Sequence, residues 1–423
     1  MHNQPIRALD RQREIYLKGF AGQRPTIPLD PHELELAAEA SMQAKAYAYI
    51  AGGAGRETTM SSNRSAFDRI SIVPRMLRDV DVRDTSISLF DRRLPAPLLL
   101  APIGVSEMAH PEGDLAVAKA AAALGVPHII SNQSSWSMEE IAAVSGNNTR
   151  WFQLYWSRSR ELVASFVQRA ERAGYEAIVV TLDTTLLGWR TRDLQLGYLP
   201  FLEGKGIAQY TSDPVFMKLL EDFHPAKTNR RITLTALWRV LRLTHRLKID
   251  NLLTRLRTGK PLRAVQQFTA IYSNPSITWS DIRYLRSLTK LPILVKGILH
   301  PDDASEALQC GVNGIIVSNH GGRQVDGAIA TMEALPGIVS KVNGRIPVLL
   351  DSGIRCGADV FKALAMGASA VCLGRPYVYG LALAGSEGVQ EVVNNLQSEF
   401  ELTMALAGCR SVSEISPELI SRS

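Results

Sequence analysis

The chain has 423 residues, 46% of them hydrophobic and 21% charged, which is typical of a soluble globular protein with one large or two ordinary domains. No apolar run approaches the roughly 18 residues of a membrane-spanning helix, and residues 1–7 carry charge without the apolar core of a secretory signal. The four cysteines, at 310, 356, 372 and 409, are too few and scattered for a disulfide framework or zinc site. We therefore expect a reduced, cytoplasmic compartment and no metal.

The net charge of +6 is unevenly distributed. Residues 227–263 contain eleven Lys or Arg and one acid, Asp250, so this segment carries +10 and the rest of the chain −4. A folded body with a negative balance argues against nucleic acid as a partner. The basic segment predicts either a local anionic contact or a solvated loop.

Residues 1–45 predict an N-terminal helical lead-in that Pro25, Pro28 and Pro31 interrupt. The glycine-rich residues 47–55 follow no predicted strand and lack the third spaced glycine of a dinucleotide-binding loop. A nucleotide-binding loop is therefore not predicted here.

From residue 98 onward, short apolar runs alternate with helix-like stretches, which predicts parallel strands joined by right-handed crossovers. The eight runs are 98–101, 128–130, 151–154, 177–182, 292–295, 314–317, 347–350 and 370–373. Eight units favour a closed (β/α)8 TIM barrel over an open doubly wound sheet. Residues 1–97 then form the lead-in and barrel floor, and residues 98–423 form the barrel. Residues 200–275 are a lid or insert between strands 4 and 5 of one structural domain.

A barrel places its chemistry at the C-terminal ends of its strands. The residues found there are Gly104, Ser131, Gln153, Tyr155, Thr181, Asp183, Lys296, Ser318, His320, Arg323, Asp351, Gly353, Arg355, Gly374 and Arg375. His320 can take a proton near neutral pH, and Arg323 can hold a carboxylate with two hydrogen bonds. A single His after a strand is more often structural, but a base, a lysine and a phenol together favour catalysis.

Glycine and arginine follow the seventh and eighth predicted strands together, as Gly353 with Arg355 and Gly374 with Arg375. Exposed backbone N–H groups beside guanidinium groups are typical of the phosphate site of a barrel, although ordinary turn glycines are an alternative. With Lys296 deeper in the predicted site, the phosphate is expected to belong to a cofactor.

These residues resemble the FMN-dependent 2-hydroxy acid dehydrogenase and oxidase family over nearly the whole chain. The similar motifs are Leu-Val-Lys-Gly at 294–297, Ser-Asn-His-Gly-Gly-Arg-Gln at 318–324 and Asp-Ser-Gly-Ile-Arg at 351–355. Ala-Pro-Ile-Gly at 101–104, Gly-Trp-Arg at 188–190 and residues 211–216 look most like the lactate 2-monooxygenase branch.

The resemblance implies that His320 takes a proton while the substrate's α-carbon passes two electrons to FMN, either as a carbanion or as a hydride. Asp183 would stabilise the imidazolium. The implied substrate-binding residues are Tyr49, Tyr155, Arg190 and Arg323. Leu187 and Val105 would border the pocket for the substrate's side chain.

Lys296 would place a positive charge beside N1 and the C2 carbonyl of the flavin. The other implied FMN-binding residues are Ile103, Gly104, Ser131, Gln153, Thr181, Ser318, Asp351, Gly353, Arg355, Gly374 and Arg375.

The resemblance implies oxidation of a small (S)-2-hydroxy acid, L-lactate by preference, to the 2-oxo acid. Oxygen would be the acceptor, in an oxidase or in a lactate 2-monooxygenase that decarboxylates its product. A homo-tetramer or octamer is implied. A non-catalytic FMN barrel is a further alternative, which the intact set of site residues argues against.

The basic segment predicts an amphipathic helix over residues 234–247, with Leu234, Leu237 and Leu241 on one side and arginines at 239, 242 and 246. It is either a lid or subunit contact, or a helix on the membrane surface. Membrane-associated relatives carry such a segment here and pass electrons to a quinone. We expect the protein to stay mostly in solution, because Thr244, His245 and Lys248 interrupt the apolar side.

Overall fold

Eight parallel strands close into a barrel in the computed structural model, which describes residues 8–224, 233–247 and 249–422. The strands, numbered β1 to β8, are Leu98–Leu100, His128–Ile130, Arg150–Tyr155, Ala177–Thr181, Ile293–Ile298, Gly314–Val317, Val348–Leu350 and Ala370–Leu373. They pair in chain order, and β8 closes the circle by pairing with β1, Val371 opposite Leu98. The predicted (β/α)8 fold is confirmed.

Helices surround the barrel, and their first residues show why they begin where they do. Ser137 caps the helix after β2 by accepting a hydrogen bond from the Glu140 backbone N–H, while the Glu140 side chain accepts from the Ser137 N–H. The helices that follow β1 to β8 are Gly113–Leu124, Met138–Ser145, Arg160–Arg172, Trp279–Leu288, Pro301–Gln309, Thr331–Val342, Gly357–Ala365 and Arg375–Leu406.

The barrel interior is apolar toward its N-terminal end and polar toward its C-terminal end. Alternate strand residues such as Leu99, Trp151 and Leu294 are buried together inside. A hairpin of Ile87–Leu89 and Arg92–Leu94 packs beneath them, with the ring centroid of Phe90 5.5 Å from that of Trp151. This hairpin seals the floor, so the site opens at the other end. A second short pair joins Ile70–Ile72 to Ile420–Arg422.

The lead-in reaches the C-terminal end of the barrel. Its helices are Ala8–Phe20, Pro31–Ser41, Ala44–Ala51 and Thr58–Asp68. Asn63 and Asn319 exchange side-chain hydrogen bonds of 2.9 and 2.7 Å, and Asp326 accepts from the Thr58 backbone N–H at 2.7 Å. These bonds join the lead-in to the turn after β6 and bring Tyr49 into the site.

Between β4 and β5 the described helices are Thr191–Gln195, Ala208–Thr211, Pro214–Glu221, Leu234–Arg246, Leu252–Thr258 and Lys260–Ile271. Short 3-10 turns lie at Ser106–Met108, Pro200–Glu203, His320–Gly322, Val412–Glu414 and Pro417–Leu419. No helix among the described residues is both long and apolar enough to cross a membrane.

The predicted basic helix is present as Leu234–Arg246. The side of the helix that packs against the rest of the protein is not the predicted apolar side. Leu243 and Leu247 lie against Gly204, where an added Cβ would meet the Leu243 Cδ1 at 2.6 Å. The predicted apolar residues Leu234, Leu237 and Leu241 are instead 87%, 52% and 50% exposed. This row therefore does not hold the helix on the barrel. Residues 227–232 and Lys248 of the basic segment lie outside the described residues.

Candidate active site

The turn after β6 holds the candidate base in a strained backbone conformation. His320, Gly321 and Gly322 have φ of 58°, 66° and 75°, a left-handed run that costs little for glycine but is uncommon for histidine. The hydroxyl of Ser318 accepts from the His320 N–H at 3.0 Å, and that of Ser352 accepts from the Gly321 N–H at 2.9 Å. Residues following two different strands thus fix the direction of the imidazole.

His320 and Asp183 form a buried pair, with 2.7 Å between the His320 Nδ1 and the Asp183 Oδ1. The Thr184 hydroxyl donates to the same carboxylate oxygen at 2.9 Å. Burial lowers the pKa of His320, and the Asp183 carboxylate offsets this only in part. Burial opposes the charge of Asp183, but His320 and Lys296 outweigh it and lower the pKa of Asp183 to about 2. At neutral pH the imidazole is uncharged, its Nδ1–H is held by an ionised carboxylate, and its Nε2 is free to accept a proton.

Two guanidinium groups flank the ring of Tyr49. Arg190 lies 5.8 Å and Arg323 5.2 Å from the ring centroid. The Arg323 Nη1 donates to the Gly52 carbonyl at 2.6 Å. Tyr155 faces the same space, and burial together with Asp183 raises its pKa to about 12, so the phenol keeps its proton. Two cations and two phenols are a suitable donor set for a small carboxylate.

Lys296 is buried at the end of β5 and holds its charge through its neighbours. Its Nζ lies 3.0 Å from the Asp351 Oδ2 and donates to the Ser318 hydroxyl at 2.7 Å. Burial opposes this charge, but Asp351 and Asp183 outweigh it and raise the pKa of Lys296 above its usual range. A permanent positive charge therefore stands in the wall of the cavity.

A chain of hydrogen bonds crosses the barrel below the site. The Ser131 hydroxyl donates to the Gln153 Oε1 at 3.1 Å, and the Gln153 Nε2 donates to the Thr181 hydroxyl at 2.9 Å. The chain joins β2, β3 and β4, which keeps these polar groups in fixed positions.

Arg355 and Arg375 lie together at the far end, beyond the ends of β7 and β8. The described part of the chain places no carboxylate within ion-pair distance of either group, and both donate to backbone carbonyls, Arg375 to Gly321 at 2.9 Å. Burial, and then the charge of Arg375, lower the pKa of Arg355. Two neighbouring cations without a counter-ion fit a phosphate. A Cβ added to Gly374 would find only the Ile103 Cδ1 within 4 Å, at 3.7 Å, so the backbone there faces open space.

One cavity connects the substrate end to the arginine end. The predicted residues in its wall are Tyr49, Ile103, Gly104, Tyr155, Arg190, Lys296, His320, Arg323, Asp351, Gly353, Arg355, Gly374 and Arg375. The remaining predicted residues, Ser131, Gln153, Thr181, Asp183 and Ser318, stand outside this wall and are held by the hydrogen bonds described above.

Sequence reasoning overlooked several residues of the cavity wall. Gln133 and Ser352 line the cavity and come within two residues of Ser131 and Asp351, which lie at predicted strand ends, and this was the available signal. Val105 is fully buried and packs against Gly206, where an added Cβ would meet the Val105 Cγ2 at 2.6 Å. Neither Val105 nor Leu187 is among the residues that line this cavity, and their place beside the substrate's side chain stays a prediction. The backbone of Val105 is left-handed, with φ of 60°.

A (β/α)8 barrel with a buried His–Asp pair, a buried lysine and two pairs of arginines around one cavity is an arrangement typical of flavin-dependent oxidoreductases. The profile of the FMN-dependent dehydrogenase family matches residues 38–422. The chain belongs to this family of FMN-dependent 2-hydroxy acid oxidases and dehydrogenases.

Curated relatives act on several substrates. An L-lactate oxidase of Lysinibacillus sphaericus is 43% identical over 399 residues, 94% of each chain. A 4-hydroxymandelate oxidase of Amycolatopsis orientalis is 40% identical over 380 residues, 90% of this chain and 94% of that one. A solved mandelate oxidase bound to (S)-4-hydroxymandelic acid superposes with a TM-score of 0.77 at 37% identity, over 94% of this chain and 99% of that chain.

The cofactor is FMN, and the cavity suits it. The unpaired Arg355 and Arg375 and the open backbone at Gly374 would receive the phosphate, and Lys296 would lie against the isoalloxazine ring. Bound FMN supplies the acceptor for two electrons from a substrate carbon.

Proposed function

We propose that this protein oxidises L-lactate to pyruvate and passes the electrons to oxygen. The observation that carries the proposal is that His320, which Asp183 holds from behind the cavity wall, lines the same cavity as Tyr49, Arg190 and Arg323. A base and cations that bind a carboxylate in one cavity are what removal of hydrogen from the carbon beside a carboxylate requires.

Each side chain has a part in this reaction. Arg323 holds the substrate carboxylate, and Tyr155 donates its phenol proton in a hydrogen bond to the substrate oxygen. The 2-hydroxy acid loses two protons and two electrons to become the 2-oxo acid. The free His320 Nε2 accepts one of these protons, and the other proton and the two electrons pass to bound FMN. Asp183 stabilises the resulting imidazolium across the 2.7 Å hydrogen bond. Lys296 stabilises negative charge that develops beside it.

Lactate is the preferred candidate because an L-lactate oxidase is among the relatives that match most of the chain. The 4-hydroxymandelate oxidase shows that an aromatic side chain is the main competing possibility. A hydrophobic pocket distinguishes one methylene by only about 1–3 kcal/mol, so related 2-hydroxy acids should compete with lactate.

The test is product analysis of L-lactate turnover with and without oxygen. Pyruvate with one equivalent of peroxide indicates the oxidase reaction. Acetate with carbon dioxide indicates a monooxygenase that decarboxylates its product. Pyruvate that forms only when a quinone is added contradicts oxygen as the acceptor.

A second candidate, a quinone-linked dehydrogenase on a membrane surface, is favoured by the exposed row of the helix Leu234–Arg246. Leu234, Leu237, Trp238 and Leu241 recur on successive turns and are all at least half exposed. Arg242 stacks on Trp238 at 5.1 Å and has no carboxylate within ion-pair distance among the described residues. An apolar row beside unpaired cations suits the interface of an anionic bilayer.

Co-sedimentation with phosphatidylserine-containing vesicles at low and high salt tests this second candidate. Each basic residue near such a surface contributes about 1 kcal/mol, and salt screens that attraction. Binding that disappears at high salt, or when Leu234, Leu237 and Leu241 are all changed to Gln, supports the membrane position. Absence of binding at low salt excludes it. Vesicles of phosphatidylcholine alone are the matched control.

A further inference from the structure

The substrate end of the cavity contains more positive charge than a monocarboxylate neutralises. Arg190 and Arg323 both line the cavity and both lie over Tyr49. Among the described residues, no carboxylate lies within ion-pair distance of either guanidinium. The nearby carboxylate of Asp183 is already engaged by His320. A substrate with one carboxylate therefore leaves one of the two cations uncompensated.

Asp193 is a buried carboxylate one helical turn from Arg190. It lies three residues after Arg190 in the short helix Thr191–Gln195 and is only 7% exposed. Its Oδ1 has no hydrogen-bond partner among the described residues, and the residue is not in the cavity wall. An unpaired charge in such a position is costly unless the field of nearby cations supports it.

Three arginines supply the positive charge that acts on Asp193. Burial raises the pKa of Asp193 above its usual value, and the charges of Arg323, Arg190 and Arg192 limit that rise. Arg192 already has a partner, because its Nη2 lies 2.6 Å from the Glu57 Oε2. Arg190 and Arg323 have no carboxylate within ion-pair distance among the described residues, so they are the two cations of this group without a partner of opposite charge.

We propose that Asp193 is a positioning residue that sets substrate specificity: its buried charge balances one of the two guanidiniums, so the cavity favours 2-hydroxy acids with one carboxylate over those with two. The inference rests on the proposed function and adds the charge class of the substrate. Asp193 acts through Arg190 and Arg323 and does not touch the substrate itself.

The wild-type holoenzyme gives the first test. Anaerobic flavin reduction is measured with (S)-malate and with its 4-amide, which has nearly the same shape but one charge fewer. The second-order reduction constant should be at least about tenfold larger for the amide, as expected for one charge at an effective dielectric near 20. Equal constants for the two compounds would overturn the proposal.

Asp193→Asn removes the charge and keeps the shape. The amide-to-malate ratio should fall about tenfold, and the change should lie in half-saturation while the limiting rate for the amide stays within about twofold. Asp193→Glu keeps the charge and should keep the ratio. Asp222→Asn, an equal charge change at the exposed end of the helix Pro214–Glu221, should also leave the ratio unchanged. An unchanged ratio in an active Asp193→Asn enzyme would contradict the proposal.

Binding of unreactive anions gives a readout that does not depend on turnover. Malonate and propionate are titrated into the oxidised holoenzyme, and the visible flavin spectrum reports each Kd. Loss of the Asp193 charge should tighten malonate about tenfold relative to propionate. If Asp193→Asn does not retain FMN, Asp193→Ser is titrated in the same way. Equal changes in the Kd values of malonate and propionate would refute the role of Asp193. Failure of L-lactate to reduce the wild-type flavin would instead contradict the proposed function.

Discussion

The C-terminal end of the barrel and the helix Leu234–Arg246 are both rich in charge, but they hold it in opposite ways. In the barrel, His320 pairs with Asp183 and Lys296 pairs with Asp351, and these four residues lie in or after four different strands. In the helix, Arg242 is exposed to solvent and stacks on the Trp238 ring, and the neighbouring leucines are exposed. We therefore expect that substitution of a single charged side chain in the barrel changes the reaction. In the helix, we expect that residues of similar charge or size can replace one another without effect on the reaction. Matched substitutions in the two regions test this difference.

The largest difference in flavin reduction between matched variants of the two regions is expected for substitution of a histidine. His320→Gln should retain FMN but slow anaerobic flavin reduction by about 10²–10⁴, the usual contribution of a general base. His245→Gln, on the exposed side of the helix, is the matched control and should reduce at the wild-type rate. Near-normal reduction in His320→Gln would remove this residue from the chemistry.

Asp183→Asn should slow flavin reduction by about 10–100-fold, since one charge-assisted hydrogen bond to the imidazole is lost. The direction in which the rate changes with pH follows from the pKa of His320. His320 must be neutral to act, and its pKa lies below the ordinary value, so the reduction constant should be flat above pH 6.5 and fall only at lower pH. Asp183 raises that pKa, so its loss should move the fall to still lower pH.

Asp250, which pairs with Lys260 at 3.0 Å in the insert, provides the control for that experiment. Asp250→Asn should leave both the rate and the pH profile unchanged. A profile of Asp183→Asn that moves to higher pH would contradict the assigned pair.

Arg323→Lys keeps the charge but loses the two-pronged geometry of the guanidinium. Half-saturation by L-lactate should rise about tenfold, with a smaller change in limiting rate. Arg242→Lys in the helix should change neither quantity. Steady-state and anaerobic stopped-flow measurements on the same preparations check both quantities. Equal half-saturation values for the two variants would contradict the expected difference between the barrel and the helix.

The smallest catalytic effect is expected within the insert. Leu243→Ala should destabilise the helix by about 2–5 kcal/mol because Leu243 is buried, whereas Leu237→Ala should change its stability by no more than about 0.5 kcal/mol. Hydrogen exchange of the helix amides measures both. Flavin reduction should stay within twofold of wild type in Leu237→Ala, and a large loss there would show that the exposed row serves the chemistry.

Sequence patterns predicted the barrel closely because each strand is a short apolar run between turn residues. His128–Ile130, Gly314–Val317 and Ala370–Leu373 have the predicted bounds. Strand ends then bring residues far apart in sequence to one rim, as with Asp183 and His320. Strand-end positions therefore indicated His320, Asp183 and Lys296 from the sequence, whereas Tyr49 and Arg190 were implied only by the family resemblance.

The remaining features depend on the folded environment. An amphipathic pattern identified the helix at Leu234 but not which of its faces meets the barrel, because Leu243 and Leu247 also satisfy helical spacing. Val105 follows a predicted strand end, yet in the fold it is fully buried and packs against Gly206. Asp193 gains its significance only from the two guanidiniums that the fold brings near it.

Anaerobic titration of the wild-type holoenzyme with L-lactate tests the central claim most directly. The visible flavin absorption should bleach fully, with one pyruvate formed per FMN, and D-lactate should leave it unchanged. A flavin that stays oxidised in excess L-lactate, while the protein is folded and fully loaded, would contradict the proposed function.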